Sequence, residues 1–186
     1  MTDILQVSVE DGVAEVRLNR PERKNALSLE MFEALAEAGD ALKRAEGLRA
    51  VILCGAGGDF CSGLDMGAMQ GMAARLDEMR ARLRTPLEGG PANWFQKPCV
   101  VWQELAVPVI AAIEGVCLGG GLQLALAADF RIARGDARLS VMEAKWGLIP
   151  DMGITQSLPQ LMRADLAKEL MMTARIVPGE EALGLG

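Results

Sequence analysis

The chain has 186 residues, 51% of them hydrophobic, a formal net charge of −6, and neither histidine nor tyrosine. That length suits one domain, spanning 1–186, with a substantial core, and the negative balance argues against a nucleic-acid partner, which needs a clustered positive surface. Without histidine, Ser-His-Asp and Cys-His nucleophiles are excluded, and acid–base chemistry falls to Asp, Glu, Lys or Cys.

The opening stretch "MTDILQVSVEDG" has no basic leader and no apolar signal core. Residues 4–10 and 13–19 alternate apolar and polar around "EDG", which predicts a hairpin. After the loop "RPERKNALS", Ser28 is placed to N-cap a helix running to about Ala45, with Glu30 and Glu33 in its early turns. "RAVILCG" (49–55) reads as a buried strand ended by glycine. The glycine-rich turn "GAGGDFCSGLD" then leads into a helix from about Met66 to Arg84, whose arginines are interrupted by Asp77 and Glu78 and form a solvated face.

Residues 85–98, "TPLEGGPANWFQKP", read as a flexible surface connection. A helix near 99–106 precedes the strand "PVIAAIEG". The run "GVCLGGGLQLALAAD" (115–129) is too short and too glycine-rich for a membrane span and is bracketed by Glu114 and Asp129. It reads as a glycine turn followed by a short apolar helix. The strand "DFRIAR" (129–134), an extended loop through "ARLSVMEAKWGLIPDMG" and helix over 155–174 complete the pattern, which breaks off within "VPGEEALGLG". Strands alternating with helices predict an α/β domain.

Cys54, Cys61, Cys99 and Cys117 lack a CxxC spacing, so reduced thiols in a cytoplasmic protein are expected, and no metal site. Two glycine turns share one arrangement of buried strand, turn and helix. In "FCSGLD" (60–65), Gly63 frees the backbone so that the Leu64 amide points outward. In the second, Gly119, Gly120 and Gly121 open a helix whose first amides have no intrahelical acceptor. If the turns lie side by side, two N–H groups converge as an oxyanion hole. A dinucleotide site is a poorer fit, because "GVCLGGG" lacks the G-x-G-x-x-G order.

The segments "VAEVRLNRPERKNALS", "RAVILCGAGGDFCSGLD", "PVIAAIEGVCLGGGLQLALAADFRIA" and "LSVMEAKWGLIPDMGITQSLPQLM", in this order, resemble the crotonase superfamily of enoyl-CoA hydratases and isomerases along essentially the whole chain. The resemblance implies a crotonase-like ββα spiral core whose C-terminal helical region is incomplete after residue 186. It also implies a homotrimer or hexamer acting on acyl-CoA thioesters, with coenzyme A part of the substrate and no separate cofactor. By the same resemblance, the Leu64 and Gly120 amides form the oxyanion hole. Lys24, Ala26, Ser62, Asp65 and Met66 fall in segments that resemble the family's CoA-binding loops.

The acid–base positions then decide the reaction. Hydratases of the family typically carry a glutamate three residues past the middle glycine, where this chain has Gln123, an amide that can orient a water or a thioester but cannot take a proton. The second acid matches Glu143, and Asp151 follows in a position where similar dienoyl-CoA isomerases also carry an acid. Proton transfer by Glu143 and Asp151, in double-bond isomerisation or hydration, is therefore the leading expectation. Thioester hydrolysis or dehalogenation with Asp151 as nucleophile is a second, and a non-catalytic acyl-CoA-binding or assembly subunit a third. Trp146 is expected to pack, with an acyl-pocket wall as its alternative.

Overall fold

In the computed structural model, which describes residues 3–186, the hairpin forms as expected from β1 (Leu5–Glu10) and β2 (Val13–Leu18). Asp11 and Gly12, at φ 49° and 78°, both occupy the left-handed region that a tight two-residue hairpin turn requires. Parallel strands β3 (Ala50–Gly55) and β4 (Val109–Ile113) extend the sheet. The chain leaves it as β5 (Val116–Leu118) and returns as β6 (Phe130–Ala133), giving the order β1-β2-β3-β4-β6. Ala14, Val16 and Leu18, then Val51 and Leu53, then Val109, Ala111 and Ile113 form one wholly buried face, as the two-residue period of a strand dictates.

Helices cover that face. Ser28 caps α1 (Leu29–Leu42) by accepting the Met31 N–H at 3.2 Å, and Met31, Phe32, Leu35 and Leu42 point into the core. The single helix expected over 66–84 is two, α2 (Met66–Ala74) and α3 (Leu76–Arg84), divided where Arg75 leaves the helical region at φ −124°, ψ 42°. Ala68 and Met79 are their buried residues, so little packing forces one axis. Asp77 and Glu78 in the first turn of α3, with Arg82 and Arg84 in its last, suit a new helix dipole.

The connection 85–98 also departs from expectation, because its second half is anchored. Asn93 donates to the Leu83 carbonyl at 2.9 Å and accepts from the Phe95 and Gln96 amides at 3.0 Å. Trp94 stacks on Phe32 at 5.3 Å, with Phe95 edge-on to both and the Arg82 guanidinium 4.8 Å from the Trp94 ring. Helix α4 (Lys97–Gln103) follows, slightly earlier than predicted.

After α5 (Gly120–Leu126) and β6, a second sheet absent from the sequence reading assembles, in the order β5-β7-β8, from β5, β7 (Arg138–Ser140) and β8 (Val177–Pro178). The helix expected over 155–174 breaks into α6 (Ile154–Leu161) and α7 (Ala164–Thr173). Pro159 inside α6 cannot donate to the ladder, and Met162 is extended at φ −144°, ψ 170°. Helix α8 (Gly179–Leu185) follows β8. No helix among the described residues is long and apolar enough to cross a membrane.

Candidate active site

The two glycine turns do lie side by side. The Cys61 N–H donates to the Val116 carbonyl and the Leu118 N–H to the Cys61 carbonyl, both at 2.9 Å, which ties residues 60–65 to β5. Gly63 has φ 91°, and a β-carbon there would stand 2.8 Å from the Leu118 oxygen and 3.6 Å from the Gly120 nitrogen. At Gly121 a β-carbon would collide with Cys61 at 2.6 Å, so the third glycine serves close packing of the two turns. The Leu64 and Gly120 N–H groups have no acceptor among the described residues.

A loop buttress holds this arrangement. The Leu27 N–H donates to the Gly63 carbonyl at 2.8 Å, the Asp65 N–H to the Leu27 carbonyl at 3.0 Å, and the Ser62 N–H to the Lys24 carbonyl at 2.9 Å. Fully buried Asn25 accepts from the Arg20 N–H at 2.9 Å and donates to the carbonyls of Ala56 and Asp59 at 2.9 and 2.7 Å. Arg20 reaches the Ala26 carbonyl at 2.6 Å and the Asp65 carboxylate at 3.1 Å. Asp65 also caps α2 through the Gly67 and Ala68 amides, and these donors hold its carboxyl below the usual range against the effect of burial. Sequence reading missed Arg20, Asn25 and Asp59. All three sit in the segments quoted above, but their partners are dozens of residues away or are backbone atoms, which no spacing reveals.

A cavity of about 590 Å³ opens beside the turns. Of the residues singled out from the sequence, Ala26, Ser62, Leu64, Asp65, Met66, Gly120 and Glu143 line it. Lys24, Gln123 and Asp151 do not. The Lys24 amine, on a side chain 60% exposed, lies 3.1 Å from the Asp59 carboxylate. Gln123, expected to touch water or thioester, is only 2% exposed and lies behind Glu143. Trp146 lines the cavity and is 56% exposed, so it is a wall and not core packing.

Glu143 follows β7 in a 3₁₀ turn, Met142–Trp146, and its carboxylate leans on the second glycine turn, where a β-carbon at Gly119 would stand 3.5 Å from Oε1. The Gln123 Nε2 donates to Oε1 at 2.7 Å. Oε2 is the one buried side-chain polar atom without a partner among the described residues. Burial pushes the carboxyl above its ordinary value of 4.5; the hydrogen bonds oppose the rise and Asp151 adds to it. Burial also raises Asp151. The Cys61 thiol is pushed up to about 12 and Cys117 also rises, both through burial, so neither is a ready nucleophile.

A second, more apolar cavity of about 690 Å³ lies between β4, β6 and α5–α8. Its lining includes none of the expected site residues, and its Asp129 and Arg131 are engaged by the Val109 amide and the Ala128 carbonyl.

The enoyl-CoA hydratase/isomerase family profile matches residues 8–186. The chain is similar to mouse mitochondrial methylglutaconyl-CoA hydratase, at 37% identity over 94% of this chain and 52% of that protein. It is also similar to the peroxisomal Delta(3,5)-Delta(2,4)-dienoyl-CoA isomerase of Arabidopsis thaliana, at 33% identity over 99% of this chain and 66% of that one. A Thermobifida fusca structure solved in complex with acetoacetyl-CoA superposes with a TM-score of 0.83 at 31% identity, over 98% of this chain and 71% of that one. The chain thus spans about half the length of the mouse relative (52%).

Proposed function

The chain belongs to the enoyl-CoA hydratase/isomerase family, and from that premise we propose that it binds an acyl-CoA thioester in the 590 Å³ cavity and moves a carbon–carbon double bond along the acyl chain. One observation carries the choice of reaction. Of the two carboxylates on the cavity wall, Asp65 is consumed by Arg20 and the α2 cap, whereas Glu143 keeps one oxygen free.

A single carboxyl suits a proton shift. The Glu143 carboxylate takes the proton from the carbon beside the thioester carbonyl of a 3-enoyl-CoA, and the electron pair moves onto the carbonyl oxygen. The Leu64 and Gly120 N–H groups receive that charge. The pair then returns as Glu143 delivers the proton two carbons further along, leaving the 2-enoyl-CoA. Protons and electrons balance within the substrate, so coenzyme A is part of the substrate and no separate cofactor is required. The position of Asp151 outside the cavity lining weighs against its use as a nucleophile. The same reading includes assembly into a homotrimer or hexamer, supported by Phe130 and Ile132, which are 59% and 69% exposed on β6 at the sheet edge.

The test is incubation with 2-enoyl-, 3-enoyl- and 3,5-dienoyl-CoA in deuterated water, with products read by mass spectrometry. Deuterium incorporation with a shifted double bond and no added water is expected. Added water would replace isomerisation with hydration, and binding without turnover would make the chain a non-catalytic acyl-CoA-binding subunit.

A further inference from the structure

Gln123 stands where a substrate contact was expected, yet both ends of its amide are taken by the protein. Its Oε1 accepts the Met152 N–H at 2.9 Å and the Ile154 N–H at 3.4 Å, and its Nε2 donates to Glu143 Oε1 at 2.7 Å. Backbone N–H groups only donate, so the amide oxygen must face residues 152–154 and the NH₂ must face the carboxylate. The orientation is therefore chemically determined, and it makes Glu143 Oε1 a fixed acceptor.

We propose that Gln123 is a positioning residue that selects the working oxygen of Glu143. By occupying Oε1 it leaves Oε2, buried and unpartnered, as the one oxygen that exchanges a proton with substrate. It also couples this choice to the 152–154 backbone, where Met152 packs against Gly120: a β-carbon on Gly120 would stand 2.9 Å from the Met152 sulfur. One neutral side chain thus holds the proton carrier in register with a proposed oxyanion amide. A neutral donor at this position also spares Glu143 the repulsion that a second carboxylate at hydrogen-bond distance would bring.

The other ionisable groups acting on Glu143 are few. Asp151 lies close enough to raise it, and the Cys99 thiol of α4 is held protonated by burial. Helix α7 packs on the 142–146 turn, and its charged residues are engaged or exposed: Asp165 pairs with Arg163, Glu169 with Arg175, and Lys168 is exposed.

The inference rests on Glu143 being the proton carrier, so three variants are compared using 3-enoyl-CoA across pH, with deuterium wash-in as the readout. Gln123→Leu removes both bonds, and we expect kcat to fall about 10- to 100-fold, the usual worth of a hydrogen bond to a charged group. KM should stay within about threefold, since Gln123 does not line the cavity. Gln123→Glu keeps the shape and still accepts the two N–H groups, so it decides the matter even if the leucine variant does not fold. The introduced carboxyl disfavours ionisation of its neighbour, and the acid limb of the kcat profile should move to higher pH. An unmoved limb, or a raised KM at unchanged kcat, overturns the positioning role. Glu143→Gln separates the two claims: if it retains turnover, the Glu143 assignment fails; if it is dead while both Gln123 variants behave as wild type, only the present inference fails.

Discussion

Glu143 is a largely buried carboxyl, and that placement has opposite consequences for activity and stability. Its folded pKa is raised from 4.5, so the folded chain holds the proton more tightly than the unfolded chain does. The associated stability is complete below the unfolded pKa and is lost as pH rises through the folded one. Glu143→Gln removes that loss while preserving an acceptor for the Gln123 amide. Turnover should vanish with little change in CoA-ester binding, and the thermal midpoint at pH 7 should equal or exceed that of wild type. The advantage should disappear in melts at about pH 4. Asp151→Asn should move stability the same way, because burial raises Asp151 from 3.8. A midpoint lower than wild type at pH 7 would show that the carboxylate is not the burden its burial implies.

At the scale of elements, helix packing depends on close approaches that glycine permits. Helix α1 meets α4 at Gly39, where a β-carbon would stand 2.4 and 2.6 Å from the two methyls of Val101. Valine in a helix has essentially one rotamer and cannot swing aside. Gly39→Ala would gain about 1 kcal/mol of helix propensity but suffer overpacking of about 1–3 kcal/mol. We expect a lower denaturation midpoint, with Gly39→Ala/Val101→Ala recovering part of it. An unchanged single variant would mean that the two helices separate freely. The same scale explains why predicted helix boundaries failed. Residues 66–84 and 155–174 look continuous in pattern, but Arg75 and Met162 leave the helical region and interrupt them, which periodicity does not signal.

Across the whole molecule, apolar surface is unevenly distributed. Phe130 and Ile132 project from the edge strand next to the 690 Å³ cavity, which they help to line. Contiguous exposed apolar surface of this kind marks association sites, which is the physical basis for the proposed assembly. Sedimentation velocity should give a trimer or hexamer, and Phe130→Glu/Ile132→Glu should shift it toward monomer without unfolding. A monomeric wild type would overturn the assembly. Assaying the same variants for turnover asks whether activity follows the oligomer.

The sequence by itself determined the α/β class, the hairpin, the cap at Ser28 and both glycine turns. These are written in local terms: alternation, capping chemistry and glycine placement. The candidacy of Leu64, Gly120 and Glu143 for the site came from the resemblance of the quoted segments to the family. Tertiary structure alone decided the rest. The second sheet pairs strands of two or three residues, too short to carry a period. The Asn25 buttress and the Arg20–Asp65 pair join residues whose separation along the chain carries no signal. Gln123 turned to Glu143 because an amide leaving water takes the partner that packing places nearest, and packing is a property of the folded chain.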